Sequence, residues 1–258
     1  MKKMKKVIAI LGSARKKATY RAVQEFEKTL KTLEEVDFEY IFLSKYYLQF
    51  CNGCLTCFNK GEEYCPLKDD RDLLFEKMDQ ADGVIFASPN YSFQVSARMK
   101  NFLDRFSYLY HRPYFFGKTF TALVVQGFLG GKKIRKYLES MGKHFGFKVV
   151  KGACLKTLDP MTEKQEKKLE KEIRKAANRF YKKLKADSNP SPSSGRLFMF
   201  RVSRNLVEVL APEFRDYQYY KENGWFESDY YYETDIGLLK KFLGAFGDFL
   251  GKHIAQNQ

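Results

Sequence analysis

The sequence predicts an α/β domain in which a parallel sheet is covered by helices on both faces, the doubly wound class. Three observations lead there. Apolar runs with the length of buried strands recur at 7–11, 38–43, 83–88, 119–126 and 149–155. Amphipathic helical patterns fill the intervals between them. The alternation persists to about residue 186, so a ligand crevice is expected at the C-terminal ends of the strands.

The first run, Val7-Ile8-Ala9-Ile10-Leu11, follows a lysine-rich start (Lys2, Lys3, Lys5, Lys6) and is too short for the apolar core of a secretory signal. It reads as a buried strand. It leads through Gly12-Ser13-Ala14-Arg15-Lys16-Lys17-Ala18-Thr19 into a helical pattern at 17–34, with Ala22, Val23, Phe26, Leu30 and Leu33 on one face. The opening N–H groups of such a helix lack internal partners and favour an anion. Ser13 and Thr19 offer hydroxyl donors, Arg15 a phosphate-matching fork and Lys17 a further positive charge. The pattern is neither G-x-G-x-x-G nor G-x-x-x-x-G-K-[ST], so a single phosphate monoester is expected, as in a mononucleotide such as FMN. A plain strand–turn–helix also uses a Gly and a capping Ser, and the loop alone does not distinguish the two.

The second run, 38–43, is followed by Cys51-Asn52-Gly53-Cys54-Leu55-Thr56-Cys57 and then by Cys65. Four thiols within fifteen residues can reach one small cluster, as compact C-x-x-C-x-x-C runs do. Zinc and a metal-free thiol loop remain open, because spacing sets reach and not occupancy. A capping Asp at 69 opens a helix to Asp79 carrying Leu73, Leu74 and Met78. After the third run come Ser88-Pro89-Asn90-Tyr91-Ser92, where Pro89 stiffens the exit and Asn90, Tyr91 and Ser92 can face a flat ligand. Ser96 reads as the cap of a helix at 96–109. The fourth run ends in Gln126-Gly127-Phe128-Leu129-Gly130-Gly131, where Gly127 and Gly130 let backbone approach a ring. A helix at 131–145, a fifth strand with Cys154 as core packing, and a helix at 162–186 with a lysine-rich wet face complete the pattern.

Ser188-Asn189-Pro190-Ser191-Pro192-Ser193-Ser194-Gly195 has linker chemistry. The expected division is therefore a ligand-binding domain over 1–187, a linker over 188–195 and an aromatic-rich helical extension over 196–258. The extension holds Tyr217, Tyr219, Tyr220, Trp225, Phe226 and Tyr230 to Tyr232, and ends in a helix near 236–254. Leu239, Phe242, Leu243, Phe246, Phe249 and Leu250 make an apolar stripe there, and Gly244, Gly247 and Gly251 a smooth strip for another backbone. The tail is read as packing on its own domain or on a twin subunit, the stripe pointing to a homodimer or larger homo-oligomer, with contact to a membrane surface as the other reading.

Lys and Arg number 46 against 31 Asp and Glu, a formal net charge of +15. Much of the excess falls on the wet face at 164–185 and no nucleic-acid motif accompanies it, so no nucleic-acid partner is expected. No run approaches the ~20 apolar residues that span a bilayer. A cytoplasmic protein with thiols rather than disulfides is expected. The three histidines, His111, His144 and His253, fall in no metal or triad spacing.

Taken together, Gly12-Ser13-x-Arg15 with Thr19, the cysteine run followed by Asp69-Asp70, and Ser88-Pro89-x-Tyr91 with Met99-Lys100-x-Phe102-Leu103-Asp104-Arg105 resemble the NAD(P)H-dependent FMN reductases of the flavodoxin-like superfamily, in particular the iron–sulfur flavoprotein branch. The resemblance covers about residues 5 to 155, with Ala14 and Ala18 departing from the commoner pattern. It implies a five-stranded flavodoxin-like sheet in the order 2-1-3-4-5. It also implies FMN phosphate at Ser13, Arg15 and Thr19, with the flavin ring flanked by Pro89, Asn90, Tyr91 and Ser92. NAD(P)H is the implied co-substrate, a small molecule or protein the implied electron acceptor, and a 4Fe–4S cluster the implied tenant of Cys51, Cys54, Cys57 and Cys65. The flavin would carry the chemistry with no catalytic side chain. The rival from another class is a redox-silent binding protein that uses its basic surface and aromatic tail.

Overall fold

The central strands of the sheet are buried at successive positions because both of their faces are covered. In the computed structural model, which describes residues 4–158, 160–186, 188–210 and 212–257, the strands are β1 (Lys5–Leu11), β2 (Val36–Phe42), β3 (Gly83–Pro89), β4 (Thr119–Gln126), β5 (Lys148–Val149) and β6 (Ala153–Lys156). All pairings are parallel, in the order β2-β1-β3-β4-β5, with β6 also on β4. The helices are α1 (Ala18–Lys31), α2 (Thr56–Asn59), α3 (Arg71–Gln80), α4 (Ala97–Arg105), α5 (Gly131–His144), α6 (Glu163–Leu184), α7 (Ser194–Leu210), α8 (Arg215–Glu222) and α9 (Leu238–Gln256). This is the flavodoxin-like doubly wound architecture with a helical C-terminal extension.

Strand alternation distributes the core. Val7, Ala9 and Leu11 join Ile85, Ala87, Leu123 and Val125 beneath α1 and α6, which contribute Phe26, Leu30, Ala176, Ala177 and Phe180. Phe26 and Phe180 meet edge to face. Gly83 admits this packing, since a Cβ there would stand 2.5 Å from the Phe180 ring. Elsewhere Phe86 crosses Phe102 of α4 and Phe120 of β4 at near right angles. Gly142 of α5 lies directly against the Phe120 ring.

Four expectations are corrected. The fifth strand is two pieces, because the chain at Gly152 runs so close to β4 that a Cβ would fall 1.8 Å from the Ala122 carbonyl oxygen. There Gly152 N–H donates to the Glu139 carboxylate at 2.7 Å and not to the ladder. Leu33 lies beyond the end of α1 and is exposed, and Leu73 faces solvent while Leu74 and Met78 are buried. The capping Asp expected at 69 stands one residue before the N-cap position, which Asp70 takes: Asp69 accepts from Arg71 N–H at the start of α3, whereas the Asp70 carboxylate turns away from the helix and accepts from Tyr47 N–H at 2.6 Å. By contrast, Ser96 caps α4 as expected, accepting from Met99 N–H. Thr162 opens α6 with a reciprocal capping box to Gln165, and the lysines at 164, 167, 168, 171, 175, 182 and 185 are exposed along it.

Two units divide the chain, Met1–Asn52 with Leu67–Asp187, and Gly53–Pro66 with Ser188–Gln258. Cys54, Cys57 and Cys65 thus group with the extension, where α2 packs on α8, whereas Cys51 belongs to the first unit. Within that unit α9 lies along α7. Gly247 and Gly251 let α9 come close to the carbonyl oxygens of Phe198 and Val202, where a Cβ would meet them at 3.0 and 2.8 Å. Asp248 bridges Arg201 and Arg204 across the pair.

Gly152→Ala has no room to relax, because the obstructing atom is backbone. We expect it to destabilise the domain by about 3 kcal/mol or more, the upper part of the overpacking range, measured as a lower urea midpoint with unchanged slope. A loss below about 0.5 kcal/mol would show that β4 and the 150–152 segment separate freely.

Candidate cofactor site at the strand ends

Order β2-β1-β3 puts the topological switch point between β1 and β3, where a doubly wound sheet opens its crevice. The loop after β1 turns at Gly12, whose N–H donates to Ala87 O of β3 at 2.8 Å. Ser13 and Thr19 are buried, whereas Arg15 and Lys17 are exposed around them. Lys17 precedes α1 in a non-helical conformation, no side chain caps the helix, and its first turn holds no acid. The opening N–H groups of α1 are therefore left without a side-chain acceptor. Lys16 lies over the rings of Tyr20 and Phe42 at 5.7 and 5.8 Å, and Lys45 over Phe42 at 5.9 Å. The local field is positive, and nothing on the helix competes with an incoming anion.

The loop after β3 is a tight hairpin. Tyr91 and Gln94 exchange both backbone hydrogen bonds, at 3.0 and 2.9 Å. Ser92 and Phe93 between them both take positive φ, +48° and +64°. A two-residue turn of that hand suits Asn or Gly, so a Phe there is held by its surroundings at a cost of about 1–3 kcal/mol. The surroundings are the loop after β4. Gly130, at φ +92°, lies under the Phe93 ring, and Asn90 Nδ2 donates to Leu129 O at 2.7 Å. Asn90 Oδ1 is buried with no donor among the described residues. Gly127 has open space where a Cβ would be, and Gly131 N–H donates to the Gln126 side chain at 2.6 Å. Tyr91 is half exposed beside these elements.

Ser96 joins the first two loops. Its hydroxyl donates to Gly12 O at 2.8 Å and accepts from Met99 N–H, while Ser96 N–H donates to the Ser88 hydroxyl at 3.1 Å. Ser96 is buried with that hydroxyl already engaged, so it positions the crevice instead of reaching into it. Ser13, Asn90, Tyr91, Ser92, Gly127 and Gly130 lie in the three loops that follow β1, β3 and β4, while Pro89 ends β3 and Thr19 sits in the first turn of α1. Sequence reasoning missed the Phe93 and Gly130 contact, for which its one available sign was the glycine pair at 130–131.

The approach to the cysteines is a closed neck. Asp69 accepts from Gln49 N–H at 2.9 Å and Arg71 N–H at 3.2 Å, and pairs with Arg105 at 2.8 Å with both side chains almost wholly buried. Tyr47 and Asp70 bond reciprocally, and Asn101 Nδ2 donates to Leu48 O at 3.1 Å. Residues 47–49 and 68–70 are thereby held together. Beyond them Gly53 and Leu55 are both left-handed on either side of Cys54, and the Thr56 hydroxyl donates to Cys54 Sγ at 3.3 Å. Cys51 and Cys54 are exposed, Cys57 half-buried and Cys65 buried. Among the described residues no three His, Cys, Asp or Glu side chains are gathered closely enough to hold a metal ion. In kind, however, the donor set suits iron–sulfur chemistry, being all thiol. Cys154 packs beneath Gly131, where burial pushes its thiol pKa up.

This is the crevice of a flavodoxin-like oxidoreductase. Residues 5–157 match the family described as NADPH-dependent FMN reductase, and the chain belongs to it. It is 30% identical to an iron–sulfur flavoprotein of Archaeoglobus fulgidus over 85% of this chain and 99% of that one. It is 28% identical to the iron–sulfur flavoprotein CD630_04720 of Clostridioides difficile over 83% of this chain and 94% of its relative. Among solved structures, the azoreductase of Bacillus anthracis superposes with a TM-score of 0.54 at 17% identity, covering 69% of this chain and all of the other, which is a likeness of fold. The protein is an oxidoreductase of the flavin-dependent kind, and its family implies FMN and NAD(P)H. No helix among the described residues is long and apolar enough to cross a membrane.

Removing one partner of a buried ion pair leaves the other charge uncompensated. Asp69→Ala should therefore lower stability by about 3–5 kcal/mol in urea unfolding, and should loosen the neck, read as faster amide exchange at Tyr47 and Gln49. Protection left unchanged at both amides would remove Asp69 from that role.

Proposed function

We propose that the protein is an FMN-dependent oxidoreductase that takes electrons from NAD(P)H and passes them to a small-molecule or protein acceptor. The FMN phosphate occupies the 12–19 loop, held by Ser13, Thr19, Arg15, Lys17 and the opening N–H groups of α1. The ring lies against Pro89, Asn90, Tyr91 and Ser92 and the glycines at 127 and 130. The observation that carries the reading is the junction at Ser96, which ties the phosphate-type loop to the ring-type loop at the switch point of the sheet.

The residues fit that cofactor. The α1 terminus and Arg15 match a dianion, and the donorless Asn90 Oδ1 is an acceptor for a ring N–H. When bound, flavin supplies hydride acceptance and electron release. The chain's own share is to fix the phosphate, to hold Tyr91 and Asn90 at the ring edge, and to keep the Ser92-Phe93 turn from collapsing into the crevice. Positive charge from Lys16 and Lys45 near the phosphate loop favours added electron density.

We further propose that Cys51, Cys54, Cys57 and Cys65 hold a 4Fe–4S cluster. Their spacing and all-thiol character support this, as does similarity to relatives named iron–sulfur flavoproteins.

Arg15→Ala should weaken FMN retention by about 1.5–3 kcal/mol, the worth of a charge-assisted hydrogen bond, seen as a roughly 10- to 150-fold rise in the flavin Kd by fluorescence titration. An unchanged Kd takes Arg15 out of the site, and protein that retains no FMN after reconstitution overturns the reading. For the cluster, anaerobically prepared protein should contain about four iron and four labile sulfide per chain, the stoichiometry of a 4Fe–4S centre. Cys57→Ala should abolish both while leaving FMN bound. Iron-free wild-type protein after anaerobic reconstitution would leave the thiols as a metal-free loop.

A further inference from the structure

Helix α9 is divided into two faces of opposite character. One face carries Gly244, Gly247, Gly251 and Ala255, all buried, and lies on α7. The other carries Leu238, Leu239, Phe242, Phe246 and Phe249, each between 56% and 84% exposed. These five positions fall within about 100° of the helix circumference at 100° per residue and extend over about 17 Å at 1.5 Å per residue. Leu243, Leu250 and Ile254, partly covered, continue the apolar surface on one side. Phe198 of α7 stacks on Phe246 and extends it further. A monomeric surface rarely keeps so large a contiguous apolar patch without an occupant.

Charge selects among occupants. Lys241 and Lys252 are exposed along one edge of the stripe, and His253 is exposed beside Phe249. The helix has a single acid, Asp248, and it is turned inward and engaged by Arg201, Arg204 and Asn205. A second copy of the same helix would bring lysine edges together with no acid on the helix to answer them, which opposes self-pairing. An anionic bilayer answers both features, because phenylalanine and leucine enter the headgroup boundary while lysines remain among the lipid phosphates. The helix also falls short of a membrane span, so it would lie in the plane of the surface.

We propose that α9 is a membrane-surface helix, docking the protein on anionic lipid bilayers through Leu238, Leu239, Phe242, Phe246 and Phe249 with Lys241 and Lys252 at the lipid phosphates. The division of labour within the helix follows from its sequence. Glycines every three or four residues give α7 a close seat, so α9 keeps its position without using its large side chains. Those side chains remain available on the outside. The attachment is reversible and salt-sensitive, since one short apolar stripe and two lysines supply it. It is independent of cofactor content.

The test is co-sedimentation of the full chain with large unilamellar vesicles, either phosphatidylcholine alone or phosphatidylcholine with 30 mol% phosphatidylglycerol. Wild-type protein should pellet with the anionic vesicles at low salt and partition at least tenfold less onto the neutral ones. Phe242→Glu with Phe246→Glu should abolish pelleting with an unchanged far-ultraviolet spectrum, as both side chains are exposed. Lys241→Ala with Lys252→Ala should lower binding to the anionic vesicles about tenfold or more, the worth of two lysines at such a surface, and leave the neutral control unmoved. Wild-type protein that stays in the supernatant with anionic vesicles overturns the proposal. So does light scattering that shows a stable oligomer which the Phe→Glu pair converts to monomer, because a second copy then covers the stripe.

Discussion

The close seat of Gly12 against the start of α4 is the constraint on which the crevice depends. A Cβ at position 12 would stand 2.5 Å from Ser96 Oγ and 2.9 Å from Met99 Cβ, so only glycine lets the exit of β1 meet the exit of β3 at this distance. One buried hydroxyl then serves both sides, donating to the Gly12 carbonyl and capping α4. A buried hydroxyl left with one partner missing loses about 1–3 kcal/mol. The two loops consequently hold or shift together, and the exits of β1 and β3 are coupled through a single side chain.

A second level of organisation lies where the chain leaves the sheet for the cysteines. Asp69 and Arg105 are withdrawn from water almost completely, and their attraction is useful only because backbone donors fill the remaining lone pairs of the carboxylate. That saturation distinguishes the pair from the exposed i,i+4 pairs on α4 and α6, Lys100 with Asp104 and Lys167 with Glu163, which contribute little. The large ordering effect comes from one desolvated pair, not from the count of charges.

Much of the sheet was legible because burial on both faces leaves an unbroken apolar signature, as in Val84 to Ala87 or Ala122 to Val125. The fifth strand was legible in place but not in form. Its interruption follows from how near Gly152 runs to Ala122, a distance between segments thirty residues apart that periodicity does not encode. Asp69 was visible as a helix-start residue, yet its partner Arg105 lies on another helix and its work is on the 47–49 segment. The loops at the strand ends were legible as residue types: Gly, Ser and Arg after β1, Pro-x-Tyr after β3 and glycines after β4. What could not be read was the mutual support between them, the left-handed Phe93 resting on Gly130 and the Asn90 amide on Leu129. The glycine strip of α9 announced a close neighbour, while α7 as that neighbour emerged only from tertiary packing.

The neck at 47–49 and 68–70 has a bearing on how such a chain diversifies. With both ends of the excursion pinned to each other, the intervening stretch is an interchangeable cassette. Lengthening or shortening it alters closure entropy only logarithmically and transmits no strain to the β1 and β3 exits. Lineages can therefore retune the thiol spacing, or abandon the thiols, while inheriting the parallel sheet and its strand-end loops intact.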